Sequence, residues 1–304
     1  MKAHFFGERE GVLRYLTYLW LVLACTFPVF AAPAQPIGTI TLLEGKGLLT
    51  RGATRYALSE GLRLEKGDIV ELAEKSFAQA EFGPGAAVAV GPQTRMLLST
   101  PGKGGGVELF VLQGQAKASA KGSSVIRLTT PDIVITVVNA ATVLQSDASG
   151  VALFSENGET KAQETGGKPF VLKSGEFYSR KSEGKGETAP RPSSAFVTGL
   201  PRSFLDNLPS RLDKFKDVKA PPLKKVEDFS YAEVEPWLKS TVAVRKVLVP
   251  RWRSKAREPV FRKALVENLK HHPEWDPILF PEKYEEAARA KEAAAKAKAA
   301  TTNY

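Results

Sequence analysis

The sequence LEKGDIVELAEKSFAQAEFGPGAAVAVGP, from Leu64 to Pro92, places two glycine clusters between short apolar runs. Glycines beside apolar runs also occur in phosphate-binding loops. A P-loop, however, needs Lys followed by Ser or Thr after its second glycine, at the start of a helix. The residues after Gly85 read AAVAVGPQT and provide neither feature. Gly67-Asp68 and Gly83-Pro84-Gly85 are therefore predicted to be tight turns between strands.

The apolar residues between these turns are candidate core positions. They are Leu64, Ile69, Val70, Phe77, Phe82, Val88 and Val90. On either side, residues 36–182 contain further short runs rich in Val, Ile, Leu and Thr, each bounded by Gly, Pro, Asn or Asp. Such closely spaced runs, without intervening helical periodicity, predict an antiparallel-rich sandwich or roll of short strands.

Several elements in residues 36–182 resemble the FecR-type domain of bacterial envelope proteins. A strand ends in Leu43-Glu44-Gly45, and a Gly-x-x-Leu-x-x-Gly-Asp element follows at residues 61–68. The segment VAVGPQT at residues 88–94 matches a later element of the family, and the order and spacing agree. The resemblance implies a β-fold with turns at Gly61, Gly67, Asp68, Gly83 and Gly85.

The resemblance has one local departure, and it leaves the function open. Residues 139–142 read Asn-Ala-Ala-Thr where the family has Gly-Thr, so an altered or lengthened turn is expected there. The founding members are inner-membrane regulators that control a sigma factor through a cytoplasmic N-terminal helical segment. Only 14 residues precede the first apolar run here, so we expect an exported module rather than a sigma-factor regulator.

Residues 1–34 have the three parts of a secretory signal peptide. Basic residues precede an apolar run that ends in small residues, and cleavage is expected after Ala31 or Ala34. This predicts a periplasmic protein; an uncleaved segment would instead anchor the chain in the inner membrane. Cys25 is the only cysteine and lies in this apolar run, so no disulfide is expected within the mature chain.

The rest of the chain divides by composition. Residues 183–200 are rich in Gly, Pro, Ser and Thr and are predicted to be a linker. Residues 201–284 are predicted to form a small all-α module, which is similar to a helical extension in some proteobacterial FecR-like proteins. Residues 285–304 form an Ala- and Lys-rich tail that is expected to be a solvated helix.

Local signals support helices in the 201–284 module. Ser230 with Glu233 three residues later predicts a capping box, and Pro259 suits the first turn of another helix. The apolar face of that second helix is expected to contain Val260, Leu265, Val266 and Leu269. The three tryptophans of this module are expected in the helical core: Trp237, Trp252 and Trp275.

No residue pattern predicts an enzyme. His271 and His272, with Glu274 and Asp276 nearby, could bind a metal ion, but histidines at a helix C-terminus more simply complement the helix dipole. No Gly-x-Ser-x-Gly motif accompanies these histidines. We therefore expect no catalytic residue, no metal and no cofactor.

The strongest binding candidate is a basic run in the helical module. It contains Arg245, Lys246, Arg251, Trp252, Arg253, Lys255, Arg257, Arg262 and Lys263. With a formal net charge of +10, the chain should attract anionic partners. These residues could equally form a solvated face whose long side chains cover apolar surface.

The expected function is therefore that of a non-catalytic exported protein that binds or scaffolds in the cell envelope. Its partner would be an envelope protein or an anionic cell-wall polymer. Nucleic acid is not expected, because the signal peptide directs the chain out of the cytoplasm. The alternatives are a membrane-anchored FecR-type regulator, with membrane contact only through an uncleaved N-terminal segment, and a wall-polymer hydrolase.

Overall fold

The computed structural model describes residues 35–99 and 106–301, with side chains as far as residue 294. The predicted signal peptide, residues 1–34, lies outside this range. Residues from Pro36 onward form one compact unit. Within the described ranges, no helix is both long and apolar enough to cross a bilayer.

Fifteen strands form a single antiparallel sheet. They are β1 (Gly38–Glu44), β2 (Gly47–Arg51), β3 (Thr54–Ala57), β4 (Arg63–Leu64), β5 (Ile69–Leu72), β6 (Phe77–Glu81), β7 (Ala86–Val90), β8 (Arg95–Ser99), β9 (Val107–Thr129), β10 (Ile133–Asp147), β11 (Gly150–Asn157), β12 (Thr160–Glu164), β13 (Pro169–Leu172), β14 (Phe177–Lys181) and β15 (Glu187–Ala189). The main path runs β15-β14-β11-β10-β9-β7-β6-β1-β4.

Two long strands connect the parts of this sheet. β9 has 23 residues and pairs with β8, β7 and β10 along its length. β10 pairs with β12 through its first half and with β11 through its second. Buried residues from all these parts contact one another, for example Leu49, Val88, Leu144 and Leu172, so the sheet encloses one core.

The predicted fold class is confirmed, since the chain is mainly antiparallel β with a small C-terminal helical part. The prediction that all strands are short is wrong for β9 and β10. Gly114 and Gly122 have φ values of 107° and 64°, yet they lie inside β9 and do not end it. Glycine tolerates this backbone, and the neighbouring strands continue to supply hydrogen-bond partners through the bends.

The turn predicted at residues 139–142 is also absent, because β10 continues through this segment. Asn139 has a φ of 47°, and the pairing of β10 with β9 skips a residue between Val138 and Ala140. Residues 121–124 of β9 stand opposite this single residue, so the extra residues of the irregularity are on β9 and Asn139 is the unpaired residue facing them. Asparagine is one of the few non-glycine residues that adopt the left-handed region readily.

The predicted turns and core positions around residues 61–92 agree with the structure. Gly61, Gly67, Gly83 and Gly85 have φ values between 77° and 89°. Six of the seven candidate core residues are buried, and Phe82 is half-buried against the same core.

Six α-helices lie in the C-terminal part of the described chain. They are α1 (Ser194–Thr198), α2 (Tyr231–Leu238), α3 (Val242–Arg251), α4 (Pro259–Glu267), α5 (Asp276–Leu279) and α6 (Pro281–Thr301). The capping box of Ser230 and Glu233 is present at the start of α2, and Pro259 begins α4 as predicted.

The predicted apolar face of α4 is partly wrong. Phe261 and Leu265 are the buried residues of this helix, whereas Val260 is 85% exposed and Val266 is exposed. Phe261 and Leu265 are four residues apart and thus share one side of the helix. The aromatic partners Phe229 and Tyr231 contact Phe261, so this side faces the core.

The helices pack against the outer surface of the sheet. Ile69, Leu97 and Phe110 from β5, β8 and β9 share an apolar cluster with residues of α2 to α5. The three tryptophans predicted to be core residues are all buried in this cluster. Within residues 183–200, predicted to be a linker, the structure contains β15 and α1, and Phe196 of α1 packs on Phe177.

Candidate functional site

Residues 199–226, here called the strap, connect α1 to α2 along an irregular path with two short 3-10 turns. One end is held by Lys117 of β9, whose side chain is 1% exposed. Its ammonium donates to the carbonyl oxygens of Phe204 and Asp206, both at 2.7 Å, and pairs with Glu156 at 2.7 Å. Because these contacts leave the ammonium fully hydrogen-bonded, its burial is tolerated.

The middle of the strap is held by two buried residues of β6. Glu81 accepts hydrogen bonds from the Ser210 hydroxyl at 2.7 Å and the Arg211 backbone N–H at 2.8 Å. The amide of Gln79 donates to the Pro209 carbonyl at 2.8 Å. Most of these contacts reach the strap backbone, so they fix its path whichever side chains it carries.

The end of the strap extends the sheet beside β3. The Ala57 N–H donates to the Lys224 carbonyl at 2.9 Å, and the Val226 N–H donates to the Arg55 carbonyl at 3.1 Å. Since backbone groups of the strap pair with this edge, the side chains of Lys224 and Lys225 remain exposed. Three further lysines of the strap are also exposed: Lys214, Lys216 and Lys219.

The sequence analysis did not identify the residues that hold the strap, which are Lys117, Gln79 and Glu81. The sequence nevertheless contains a signal for them. Gln79 and Glu81 alternate with alanines in β6, and Gln115 and Lys117 do the same in β9. This alternation indicates one polar face on each strand. It does not reveal that the strap buries that face, because the strap lies about a hundred residues away in sequence.

Several residues of the predicted basic run form ion pairs within the protein. Arg245 donates two hydrogen bonds of 2.9 Å to the carboxylate of Glu274. Lys255 is 2% exposed, pairs with Asp228 and Glu258 at 3.3 Å and 3.0 Å, and lies over the Phe229 ring. These cations stabilise the packing of the helices and are not free to bind a partner.

Three further members of the run also contact the protein. The Trp252 indole N–H donates to the Gly52 carbonyl at 3.0 Å. Arg251 donates to the Lys66 carbonyl at 2.8 Å, and Arg262 donates to the Leu279 carbonyl at 2.5 Å. Burial of Trp252 to 1% exposure excludes it from stacking on a ligand in this conformation.

The other members of the run are exposed to solvent. They are Lys246, Arg253, Arg257 and Lys263, and Lys263 lies 3.9 Å from Glu267. Lys246, Arg253 and Arg257 have no ion-pair partner within the described residues. Lys255 lies between Arg253 and Arg257, and it pairs with Asp228, which follows Lys225 by three residues. We define the basic surface as five exposed cations that have no ion-pair partner within the described residues: Lys224, Lys225, Lys246, Arg253 and Arg257.

A network of ion pairs fixes α2 beside this surface. Arg55 pairs with Glu233 at 2.5 Å and lies 3.8 Å from Glu71, which also accepts from the Trp237 indole at 3.2 Å. Burial alone would raise the pKa of Glu233. Hydrogen bonds from the Ser230 backbone and from Arg55 outweigh it and lower this pKa to about 2.

The histidine region has a structural role. His272 is buried, its Nε2 lies 3.0 Å from the Tyr231 hydroxyl, and burial lowers its pKa. His272 follows the 3-10 turn at residues 269–271, beyond the end of α4 at Glu267, and the interaction of these histidines with a helix dipole stays a prediction. Glu274 pairs with Arg245, and Asp276 accepts from Lys283 at 2.9 Å. No cluster of three potential metal ligands occurs in the described part of the chain.

No protein-family model and no characterised protein sequence matches this chain. Among solved structures, it is similar to two crystal structures, at 1.65 Å and 2.50 Å, described as a "putative anti-sigma factor" from Parabacteroides distasonis ATCC 8503. Identities are 13% and 12%, with a TM-score of 0.38 in both cases. The matches cover 43% of this chain and 65% and 64% of those chains, slightly less than two thirds of their length.

Proposed function

We propose that the protein is a non-catalytic binding protein of the bacterial cell envelope that holds an anionic cell-wall polymer on its basic surface. The observation that carries this proposal is that some cations of the helical part form contacts within the protein whereas others do not. Arg245, Arg251 and Lys255 serve the fold, whereas the cations of the basic surface have no ion-pair partner within the described residues. Exposed cations without an ion-pair partner attract anionic polymers in a salt-dependent manner.

The disposition of acidic and histidine side chains supports a non-catalytic role. Asp68 is fully buried and pairs with Arg51 at 2.6 Å, and Glu71 is shared between Arg55 and Arg95. His272 is buried against Tyr231. These groups are oriented by structural contacts and do not converge on an open pocket, as general acid–base catalysis requires.

The test is co-sedimentation of the full chain with isolated cell walls that retain their anionic polymers, at low and at high salt. Binding is expected at low salt and should weaken strongly as ionic strength rises. The triple variant Lys246→Glu, Arg253→Glu and Arg257→Glu should abolish it. Salt-insensitive sedimentation, or full binding by the triple variant, would overturn the proposal.

A matched control separates local from overall charge. Three exposed lysines lie on β12, between β12 and β13, and directly after β13: Lys161, Lys168 and Lys173. Their reversal to Glu changes the net charge by the same amount and should leave most of the binding intact. Equal loss in both triple variants would show that only overall charge matters.

A second candidate function is that of a membrane-anchored regulator of the FecR type. It is favoured by the motif at residues 61–68 and by the apolar run in residues 1–34. N-terminal sequencing of the protein from membrane and soluble fractions distinguishes the two functions. An intact Met1 in the membrane fraction supports the anchored regulator, whereas a start at Ala32 or Gln35 supports the exported binding protein.

A further inference from the structure

A surface pocket of about 470 Å³ lies between the strap and the sheet, and no residue of the basic surface lines it. Its walls come from β9, β10, β11 and the strap. Four of the eleven lining residues carry an amide or an ammonium group: Lys121, Asn139, Asn157 and Asn207. This volume is within the range of small-molecule sites.

Two strand irregularities bring amides to this pocket. Asn139 is the unpaired residue of β10 opposite residues 121–124 of β9, with a φ of 47°. On the other side of β10, the pairing with β11 shifts between Ala141 and Thr142, beside Asn157. Bulges of this kind redirect side chains and are common near binding sites.

The third amide, that of Asn207, is positioned by the hydrogen bonds that hold the strap. Asn207 follows Asp206, whose carbonyl accepts from Lys117, and precedes Pro209, whose carbonyl accepts from Gln79. These hydrogen bonds from buried side chains thus fix the backbone on both sides of Asn207. A rigid supporting layer of this sort reduces the ordering cost of binding.

None of these groups is used by the fold. The side chains of Asn139, Asn157, Asn207 and Lys121 make no hydrogen bond or ion pair with any residue in the described ranges. Each amide offers two donors and an acceptor, which matches ligand hydroxyl groups that both donate and accept. The single ammonium adds a preference for one negative charge.

The chemistry of the lining narrows the ligand class. No aromatic ring lines the pocket, so a nucleobase would have no stacking partner. Ala120, Ala140, Leu208 and Pro209 supply a small apolar portion that can contact the C–H faces of a sugar ring. We propose that this pocket binds an acidic sugar, with its hydroxyls on the three asparagine amides and its carboxylate on Lys121.

The test uses D-glucuronate as the probe and D-glucose as the uncharged comparison, added to the full chain and followed by NMR. Glucuronate should shift the side-chain NH₂ resonances of Asn139, Asn157 and Asn207. Asn139→Gly is a clean variant, because glycine keeps the left-handed backbone and loses only the amide. Asn139→Gly and Asn157→Ala should each weaken binding about tenfold.

Charge and specificity are tested separately. Lys121→Gln should reduce the affinity for glucuronate to that for glucose. Gln163→Ala, which removes an exposed amide on β12, is the matched control and should change nothing. The proposal fails if glucuronate shifts none of the three amide pairs at high millimolar concentration, or if the asparagine variants bind as the unmodified chain does.

The outcome does not depend on the basic surface. The triple variant Lys246→Glu, Arg253→Glu and Arg257→Glu should bind glucuronate normally, because these residues do not line the pocket. If the unmodified chain binds glucuronate but does not sediment with cell walls, only the proposed function is contradicted. If it sediments with cell walls but does not bind glucuronate, only the acidic-sugar site is contradicted.

Discussion

The guanidinium of Arg251 lies directly on the backbone of Gly67. A Cβ atom added to Gly67 would be 2.0 Å from the Arg251 Cζ, and Arg251 donates to the adjacent Lys66 carbonyl at 2.8 Å. Gly67 also has a φ of 79°, and its N–H donates to the Leu98 carbonyl at 2.6 Å. The turn of the Gly-Asp element is thus the place where the end of α3 contacts the sheet.

Gly67→Ala is expected to destabilise the protein for two reasons. The left-handed backbone costs a non-glycine residue about 1–2 kcal/mol, and the Arg251 guanidinium must move aside and lose its hydrogen bond to the Lys66 carbonyl, which adds about 0.5–1.5 kcal/mol. Urea unfolding followed by tryptophan fluorescence measures the change, since Trp237, Trp252 and Trp275 are buried in the helical cluster.

Gly83→Ala separates the two costs of this substitution. Gly83 has a φ of 89° but no atom within 4 Å of an added Cβ, so it carries the backbone cost alone. In the background of Arg251→Ala, Gly67→Ala should cost about as much as Gly83→Ala. Equal destabilisation by the two single glycine variants would contradict the contact with Arg251.

Lys117→Met is expected to release the first part of the strap. The variant removes the ammonium that the Phe204 and Asp206 carbonyls share, and hydrogen bonds to charged groups contribute about 1.5–3 kcal/mol. The free energy of unfolding should fall by about 2–3 kcal/mol, and trypsin should cleave at Arg202 faster. Lys121→Met is the control and should lie within about 0.5 kcal/mol of the unmodified chain.

Acid should weaken the attachment of α2 through Glu233. The pKa of Glu233 is lowered to about 2, so the carboxylate contributes stability that is complete above the ordinary pKa of 4.5. This contribution is lost as the pH falls from about 4.5 to about 2. Thermal unfolding across this window should depend less on pH in Glu233→Gln than in the unmodified chain. An unchanged dependence would show that Arg55 and Ser230 do not perturb this group.

A second pH effect is expected at higher pH through His272. Burial lowers its pKa below the ordinary 6.5, so the unfolded chain binds the proton more readily than the folded chain. Stability should therefore be complete above pH 6.5 and decline as the pH falls below that value. His272→Gln should remove this decline, and His271→Gln, at an exposed position, should retain it. Histidine NMR titration provides the direct measurement.

Much of the fold could be predicted from local patterns. The turns at Gly67 and Gly83, the capping box of Ser230 and the buried tryptophans each depend on a residue type and its near neighbours. Prediction failed where a contact with residues distant in sequence decides which side chain is buried. Val260 looks like a core residue by spacing, yet Phe261 is buried instead, because Phe229 and Tyr231 lie on that side of α4.

The candidate site shows the same difference between features that the local sequence determines and features that distant contacts determine. The sequence by itself determined that positive charge is concentrated in the helical part, since charge follows from composition alone. Only the tertiary structure decided that Arg245 and Lys255 are paired internally while Arg253 and Arg257 face solvent. The physical reason is that a cation's availability depends on which carboxylates and carbonyls the folded chain brings within hydrogen-bonding distance. Those partners lie up to 185 residues away along the chain, as Lys66 does from Arg251.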